Sequence, residues 1–426
     1  MISKTILGTV INDQLKEFES LGDTIPRSIF PETTDYSGSS ALVIKGLRRC
    51  GKSTFMKQII RAGFNEDFYY FNFDDERLFG FRVDDFQTLM ETLIEISGER
   101  KNLFVDEIHN IKGWELFVNR IMRQGYRVFI TGSNANLLSK ELGTHLTGRH
   151  VDIELYPFSF TEFLNAKKIN APRKGFYSTE EKAQLSIEFK EYFQKGGMPE
   201  AVVFSNKAIL GQLLNDIIQK DIVGRYNIRN PAELKAVIRF LIANTANQIT
   251  YRSIVNNFSI KSSNTIQKYI RYAEETYLIF TVNRYEKKLK KFDKNPKKIY
   301  CVDNGIVNEN APGINERKGA LLENLVAVQL KRIGKEFYYY GGERDAECDF
   351  VIPDEKQAIQ VCYDLNPDNE HRELKGLAEA MGKINANEGV ILTYDNEQPA
   401  VKGNRKISIK PVWQWLLDTD KKTKNM

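Results

Sequence analysis

A chain of 426 residues is longer than one ordinary hydrophobic core serves, and at about 150 residues per domain it predicts roughly three units. With 42% hydrophobic and 27% charged residues, 28 Gly and 12 Pro, it has the proportions of a soluble globular protein, which excludes collagen-like, mucin-like and wholly disordered chains. The formal charge of +5, from 61 Lys+Arg against 56 Asp+Glu, is too small as a total to argue for nucleic acid; only its clustering is informative.

The amino terminus is apolar from Thr5 to Ile11 only, about seven residues, too short for the core of a signal peptide. No stretch approaches the roughly 20 apolar residues that span a bilayer. The four cysteines, Cys50, Cys301, Cys348 and Cys362, have no paired spacing, so neither a disulfide framework nor a zinc knuckle is expected and a reducing cytoplasm fits.

Short apolar runs then alternate with helical patterns, the signature of a parallel sheet covered on both faces. The expected strands are Ala41 to Ile44, Phe68 to Phe73, Leu103 to Val105, Val128 to Ile130 and Val151 to Leu155, flat enough in polarity to predict burial on both sides. Pro157 and Phe158 mark the exit from the sheet. Helical patterning runs from about Ser159 to Ile228, broken by Gly196-Gly197-Met198-Pro199. Helices are expected at Leu234 to Asn244, Tyr251 to Phe258 and Ser262 to Tyr277, followed by strands at Leu278 to Arg284 and Lys298 to Val302, the outline of a winged helix. From Leu321 a helix leads into strands at Phe337 to Tyr340, Asp349 to Ile352, Ala358 to Tyr363 and Gly389 to Thr393, a second α/β unit. The expected domains are therefore residues 1–157, 158–318 and 319–426.

The first expected strand runs into Gly46-Leu47-Arg48-Arg49-Cys50-Gly51-Lys52-Ser53-Thr54 and then a helix, which is the pattern G-x-x-x-x-G-K-S in the strand, loop and helix context it requires. Its glycines let main-chain N–H groups turn inward on phosphates, and the helix amino terminus adds partial positive charge. Lys52 is expected to reach the β- and γ-phosphates of ATP and Ser53 to ligate Mg²⁺, with Gly46, Arg49, Cys50, Gly51 and Thr54 completing the nucleotide loop. The apolar strand Asn102 to Val105 ends in Asp106-Glu107, one carboxylate for the metal's water shell and a neighbour able to polarise the attacking water. After the next strand comes Thr131-Gly132-Ser133-Asn134, where Ser133 or Asn134 could orient that water, or equally form an Asx turn or a helix cap. Arg149 is a candidate charge-neutralising arginine, acting in cis or toward a neighbouring subunit, or an ordinary surface residue.

This order of motifs, continued by Leu146-Thr147-Gly148-Arg149 and Leu155-Tyr156-Pro157-Phe158-Ser159-Phe160-Thr161-Glu162-Phe163, resembles the prokaryotic AAA-type ATPases of the archaeal ATPase group. Members with a C-terminal domain of unknown function resemble the chain further at Gly196 to Glu200 and at Gly319 to Asn324. The resemblance implies an additional-strand catalytic-glutamate core, with Glu107 the catalytic base and the Val128 strand between the loop strand and the Asp106 strand.

Positive charge concentrates between Arg284 and Lys298, including Lys287, Lys288, Lys290 and Lys291. With Lys268 and Arg271 on the expected recognition helix, it suits the backbone of duplex DNA, or it is a solvated hairpin on a module that docks a protein partner. The last unit resembles the restriction-endonuclease-like fold, with Glu323 as the helix acid, Asp349 as the strand acid, and Gln360-Val361-Cys362 where an acid and a lysine would stand. Without that lysine its catalytic role is unfilled, so a degenerate nuclease-like scaffold is expected. Taken together, these features predict an α/β, Mg²⁺-dependent ATPase that rearranges carboxyl-terminal DNA- or protein-binding modules, with oligomerisation possible through Arg149. The alternatives are a slow-turnover regulatory nucleotide switch that recruits a protein, and an ATP-gated nuclease.

Overall fold

The computed structural model describes residues 1–20, 22–29, 40–133, 149–170, 177–206, 208–258, 260, 262–286, 295–311, 313, 316–342, 346–402 and 406–422. Asn134, Thr147, Gly148, Lys287, Lys288, Lys290 and Lys291 lie outside them. The chain divides into two compact units, Met1–Tyr156 and Pro157–Met426. The expected boundary at 318/319 falls inside the second unit.

The first unit opens with α1 (Lys4–Glu19), capped by the Ser3 side chain, which accepts from the Ile6 N–H. It continues through β1 (Ala41–Gly46), α2 (Lys52–Gly63), β2 (Tyr69–Asn72), α3 (Asp85–Ser97), β3 (Asn102–Asp106), α4 (Trp114–Arg123), β4 (Arg127–Gly132) and β5 (His150–Leu155). These five strands form one sheet in the order β2-β3-β4-β1-β5, so β4 lies between the loop strand and the Asp106 strand, as the resemblance implies. Every pairing is parallel. The register sets Lys45 beside Gly132 and Val105 beside Ile130, which brings the carboxyl ends of β1, β3 and β4 together, where open α/β sheets place ligands.

Both faces of the sheet are covered by apolar helix stripes. On one face Leu7, Val10 and Ile11 of α1 join Phe86 and Leu89 of α3 and Trp114, Phe117 and Val118 of α4 in one buried cluster. Elsewhere in the unit Phe104 and Phe129 stack at 4.1 Å, and Phe64 meets them edge-on at 5.1 and 5.2 Å. The expectation of burial on both sides holds for β1 and β3 but not for β5, where Val151, Asp152 and Glu154 are exposed. That strand pairs only with β1 and forms the sheet edge, so its alternating His-Val-Asp-Ile-Glu-Leu is the half-buried pattern.

The second unit begins with a helix, Phe160–Ala166, whose start is a capping box between Ser159 and Glu162. The Gly196-Gly197 break is required for two different reasons. Gly196 has φ 72°, and a Cβ there would meet Asp303 Oδ1 at 2.3 Å. Gly197 packs so tightly on Phe158 that a Cβ would lie 2.2 Å from the Phe158 carbonyl oxygen. The Gly197 N–H donates to Asp303 Oδ2 at 2.6 Å. Burial pushes the Asp303 carboxyl up to about 6, against the lowering effect of the backbone N–H groups it accepts from.

Helices Pro231–Ala243, Tyr251–Phe258 and Ser263–Glu275 accompany a three-stranded antiparallel sheet of β6 (Gln248–Ile249), β7 (Ile279–Val282) and β8 (Lys297–Cys301), in the order β6-β8-β7. The two-residue β6 is too short to leave a periodic trace in the sequence. The helix Lys318–Arg332 precedes a six-stranded mixed sheet of β9 (Tyr338–Gly341), β10 (Glu347–Ile352), β11 (Gln357–Cys362), β12 (Glu388–Thr393), β13 (Gln398–Lys402) and β14 (Lys406–Pro411), in the order β13-β14-β12-β11-β10-β9. The helix Glu370–Lys383 crosses between the parallel pair β11 and β12. Among the described residues no helix is long and apolar enough to cross a membrane, and the four cysteines are free and buried.

Candidate active site

The loop from Gly46 to Ser53 is shaped by backbone geometry before any side chain acts. Gly46 has φ 153° and a Cβ there would strike the Leu155 carbonyl oxygen at 2.2 Å; Arg49 and Gly51 have φ 60° and 95°. Gly51 caps α2 without a side-chain bond, so the first N–H groups of α2 face the loop without intrahelical partners. Cys50 is fully buried, beside the place a Gly46 Cβ would take. Its thiol is pushed up by burial, opposed by Lys52 and Arg27, so it stays protonated and fills the loop base.

Lys52 is 4% exposed. Its Nζ donates to the carbonyl oxygens of Leu47 at 3.1 Å and Gly46 at 3.3 Å, and lies 3.7 Å from Glu107 Oε1. A buried ammonium beside the unpartnered first N–H groups of α2 fits the phosphates of a nucleotide. Ser53 hydrogen-bonds to the Asp106 carboxylate, so the hydroxyl and the carboxylate suited to Mg²⁺ are already side by side.

Asp106 is fully buried at the end of β3. Burial raises its pKa and Glu107 adds to the rise, while the bonds from Ser53 and Thr131 and the charge of Lys52 oppose it. Tyr70, on the neighbouring β2, donates its hydroxyl to Asp106 Oδ2 at 3.2 Å. That phenol is held protonated by burial first and by Asp106 second. Glu107 has left-handed backbone geometry, φ 53° and ψ 32°, which turns its half-buried side chain away from the strand direction toward Lys52 and His109. Its Oε2 lies 3.3 Å from His109 Nδ1.

Thr131, on β4 and 0% exposed, ties the Asp106 carboxylate to the Glu107 backbone. Its hydroxyl donates to Asp106 Oδ1 and accepts from the Glu107 N–H at 2.9 Å. The sequence reading favoured Ser133 or Asn134 over Thr131. Ser133 follows β4 and is buried, whereas the hydroxyl that touches the acidic pair belongs to Thr131. Tyr70 and His109 were missed as well, since a tyrosine inside an apolar strand and a histidine after an acidic pair have no distinctive spacing. Arg149 is not brought to the loop. It precedes β5 in register with the start of β1, six residues from Leu155 at about 3.3 Å each, hence roughly 20 Å from the phosphate end of the sheet. A role in cis is therefore ruled out by the direction of the strand.

Thr131→Val keeps the shape and removes both bonds, leaving the part-buried Glu107 N–H and the buried Asp106 carboxylate each short of a partner. We expect a loss of about 1–3 kcal/mol in stability, read by urea unfolding, together with a fall in ATP turnover. Thr131→Ser restores both if the hydroxyl is responsible.

In the second unit Glu323, Asp349 and Gln360 do converge. The Gln360 amide donates to Glu373 Oε2 at 2.6 Å, its oxygen accepts from the Asp349 N–H at 3.2 Å, and Asp349 Oδ2 accepts from the Val361 N–H at 3.0 Å. No lysine stands at Gln360-Val361-Cys362, but one comes to these acids from another strand: Lys298 of β8 reaches Glu323 and Asp349. Lys298 therefore leaves the surface cluster in which its sequence position put it, and Arg284, which donates to the Gly341 carbonyl oxygen, is tied down too. Lys268 and Arg271 are exposed on the helix Ser263–Glu275, with Arg271 Nε 3.3 Å from Glu275.

Residues 38–164 match the family described as "AAA domain". Residues 186–317 and 318–415 match two domains of unknown function, DUF8612 and DUF4143. An uncharacterized protein of Methanocaldococcus jannaschii, MJ1544, is 38% identical over 393 residues, 88% of either chain. An uncharacterized protein of Haemophilus influenzae is 33% identical over 351 residues, 77% of this chain and 84% of its own. Among solved structures, C. elegans PCH-2 covers 50% of this chain and 61% of its own at 10% identity and a TM-score of 0.26. AMPPCP-bound DnaA from Aquifex aeolicus covers 62% and 86% at 15% identity and a TM-score of 0.19. Scores this low carry no argument.

Proposed function

The chain belongs to the family of the Methanocaldococcus jannaschii protein MJ1544 and carries an AAA-type P-loop ATPase domain, and from that premise we propose that it binds ATP with Mg²⁺ and hydrolyses it to drive rearrangement of its carboxyl-terminal modules. The observation that carries this reading is the meeting of Lys52, Asp106 and Glu107 at one end of the parallel sheet, joined through Thr131. ATP with Mg²⁺ supplies the phosphoanhydride bond and the charge that polarises it. Lys52 and the α2 amino terminus hold the phosphates, Ser53 and Asp106 hold the metal, and Glu107 accepts a proton from the attacking water. In this reading Ser133, next along from Thr131, orients that water, and Arg149 serves a neighbouring copy in an oligomer.

We read the three helices with sheet β6-β8-β7 as a winged helix and the last sheet as restriction-endonuclease-like. Exposed Lys268 and Arg271, with the lysines at 287, 288, 290 and 291, support duplex DNA as the partner. The test is steady-state ATP hydrolysis by the full chain in Mg²⁺, with and without duplex DNA, over a salt series. We expect basal turnover that DNA stimulates at low salt and progressively less as salt rises. Absence of hydrolysis under all conditions overturns the ATPase reading, and turnover indifferent to DNA at every salt concentration removes the DNA.

A second reading, a slow-turnover switch that recruits a protein, is favoured by one observation: Glu107 is engaged by Lys52 at 3.7 Å and by His109 at 3.3 Å, contacts that compete with holding a water. Very slow, DNA-independent hydrolysis with a long-lived nucleotide complex distinguishes it.

A further inference from the structure

The acids of the nuclease-like end are filled by a cation that the chain supplies itself. Lys298 is 3% exposed, and its Nζ lies 2.9 Å from Glu323 Oε1, 2.7 Å from Glu347 Oε1 and 2.8 Å from Asp349 Oδ1. Of the three N–H donors of an ammonium, two are given to Glu323 and Asp349 at charge-assisted distances, and Glu347 completes the ring as an ion pair. The Tyr300 hydroxyl, two residues along β8, donates to Glu323 Oε1 at 2.7 Å and closes the far side. Burial opposes the Lys298 charge, yet Asp349, Glu323, Tyr300 and Glu347 outweigh it and hold the ammonium well above its ordinary pKa.

These oxygens stand 2.7 to 2.9 Å from the ammonium nitrogen, wider than the ligands of a divalent cation, so a metal in its place would need them to close in. A divalent cation bound by the same carboxylates would take oxygen ligands at about 2.0–2.6 Å, and it could not share the cage with a positive charge in direct contact with all three acids. The cage opens on a cavity of about 420 Å³ that Gln360, Arg372 and Glu373 also line, so bulk ions have access. Among the described residues no group of three His, Cys, Asp or Glu is arranged to hold a metal ion. The lysine and its acids also come from different segments. Lys298 lies in the segment that matches the first domain of unknown function, and Glu323, Glu347 and Asp349 in the second.

We propose that the Lys298 ammonium is a built-in substitute for a divalent cation, which makes this pocket an ionic junction between β8 and the carboxyl-terminal sheet rather than a metal centre. The junction is independent of the ATPase reading. Its chemical consequence is that the wild-type pocket has no open cation position with which to generate a hydroxide for phosphodiester cleavage.

The test uses the full chain without nucleotide and Mn²⁺ alone, a cation suited to carboxylate oxygen, with free Mn²⁺ followed by electron paramagnetic resonance. Wild type should show no uptake below millimolar Mn²⁺ that Asp349→Asn removes. Lys298→Met should gain one site at least tenfold tighter than any in wild type, lost again when Asp349→Asn is added, and Mn²⁺ should raise the Tm of Lys298→Met but not of wild type. If Lys298→Met is unfolded without metal, millimolar Mn²⁺ should restore its circular dichroism, and failure to do so overturns the proposal. So does a folded Lys298→Met that gains no site. Wild-type Mn²⁺ uptake, or Mn²⁺-dependent plasmid cleavage, that disappears in Asp349→Asn overturns it equally and revives the nuclease.

Discussion

Lys52→Ala should weaken ATP binding at least about 30-fold while leaving the first unit folded. The side chain is buried against the carbonyl oxygens of Gly46 and Leu47, so its ammonium is already desolvated and positioned beside the first N–H groups of α2. Truncating one partner of a buried, hydrogen-bonded charge pair costs about 2–5 kcal/mol, which is roughly 30-fold to several-thousand-fold in affinity. The loop should survive, because its path is set by the backbone at Gly46, Arg49 and Gly51 and by the packing of Cys50, none of which needs the amine. Calorimetric titration with ATP and Mg²⁺ measures the effect, with urea unfolding as the control. Wild-type affinity in the variant would remove Lys52 from the phosphate site.

Glu107→Gln should have the opposite signature, with ATP bound and held but hardly turned over. The amide preserves the shape and the left-handed backbone that the Thr131 hydroxyl supports through the Glu107 N–H, so the nucleotide site stays assembled. What it loses is a proton acceptor, and general-base catalysis contributes typically 10²- to 10⁴-fold. Single-turnover hydrolysis should fall by about that range, and filter binding should recover a stable ATP complex. Unaltered turnover in this variant would sink the assignment of the base. The two variants separate binding from chemistry, since one should weaken the hold on the ligand and the other should keep it.

The parts of the site legible in the sequence are those whose chemistry depends on neighbours along the chain. A glycine-rich turn between an apolar strand and a helix, and an acidic pair at the end of another strand, are local patterns, and both stand where their spacing places them. The flat apolarity of Leu103 to Val105 and Val128 to Ile130 reported interior strands for the same reason. Thr131 was in view as part of its motif but was passed over for its neighbours, because side chains alternate along a strand and only the register with β3 decides which hydroxyl meets Asp106. Arg149 failed for a related reason: its spacing from β5 was readable, but a role in cis depends on which end of the sheet that strand starts from. Gly197 read as a conformationally special glycine, whereas its constraint is the close approach of Phe158.

Local sequence was therefore sufficient for the glycine-rich loop with the helix after it, the acidic pair and the five strands of the first unit, because each is dictated by residues within one turn or one strand, whereas α1 was not read from it. Which hydroxyl supports the acids, and which lysine neutralises the carboxyl-terminal cage, depended on packing between strands distant in the chain. Lys298 shows this most directly. Along the sequence it is the last member of a basic run and reads as surface charge, while in the fold it is buried among Glu323, Glu347 and Asp349. Composition counts a charge without saying what it faces, and a buried ammonium is stable only where tertiary structure brings carboxylates to it.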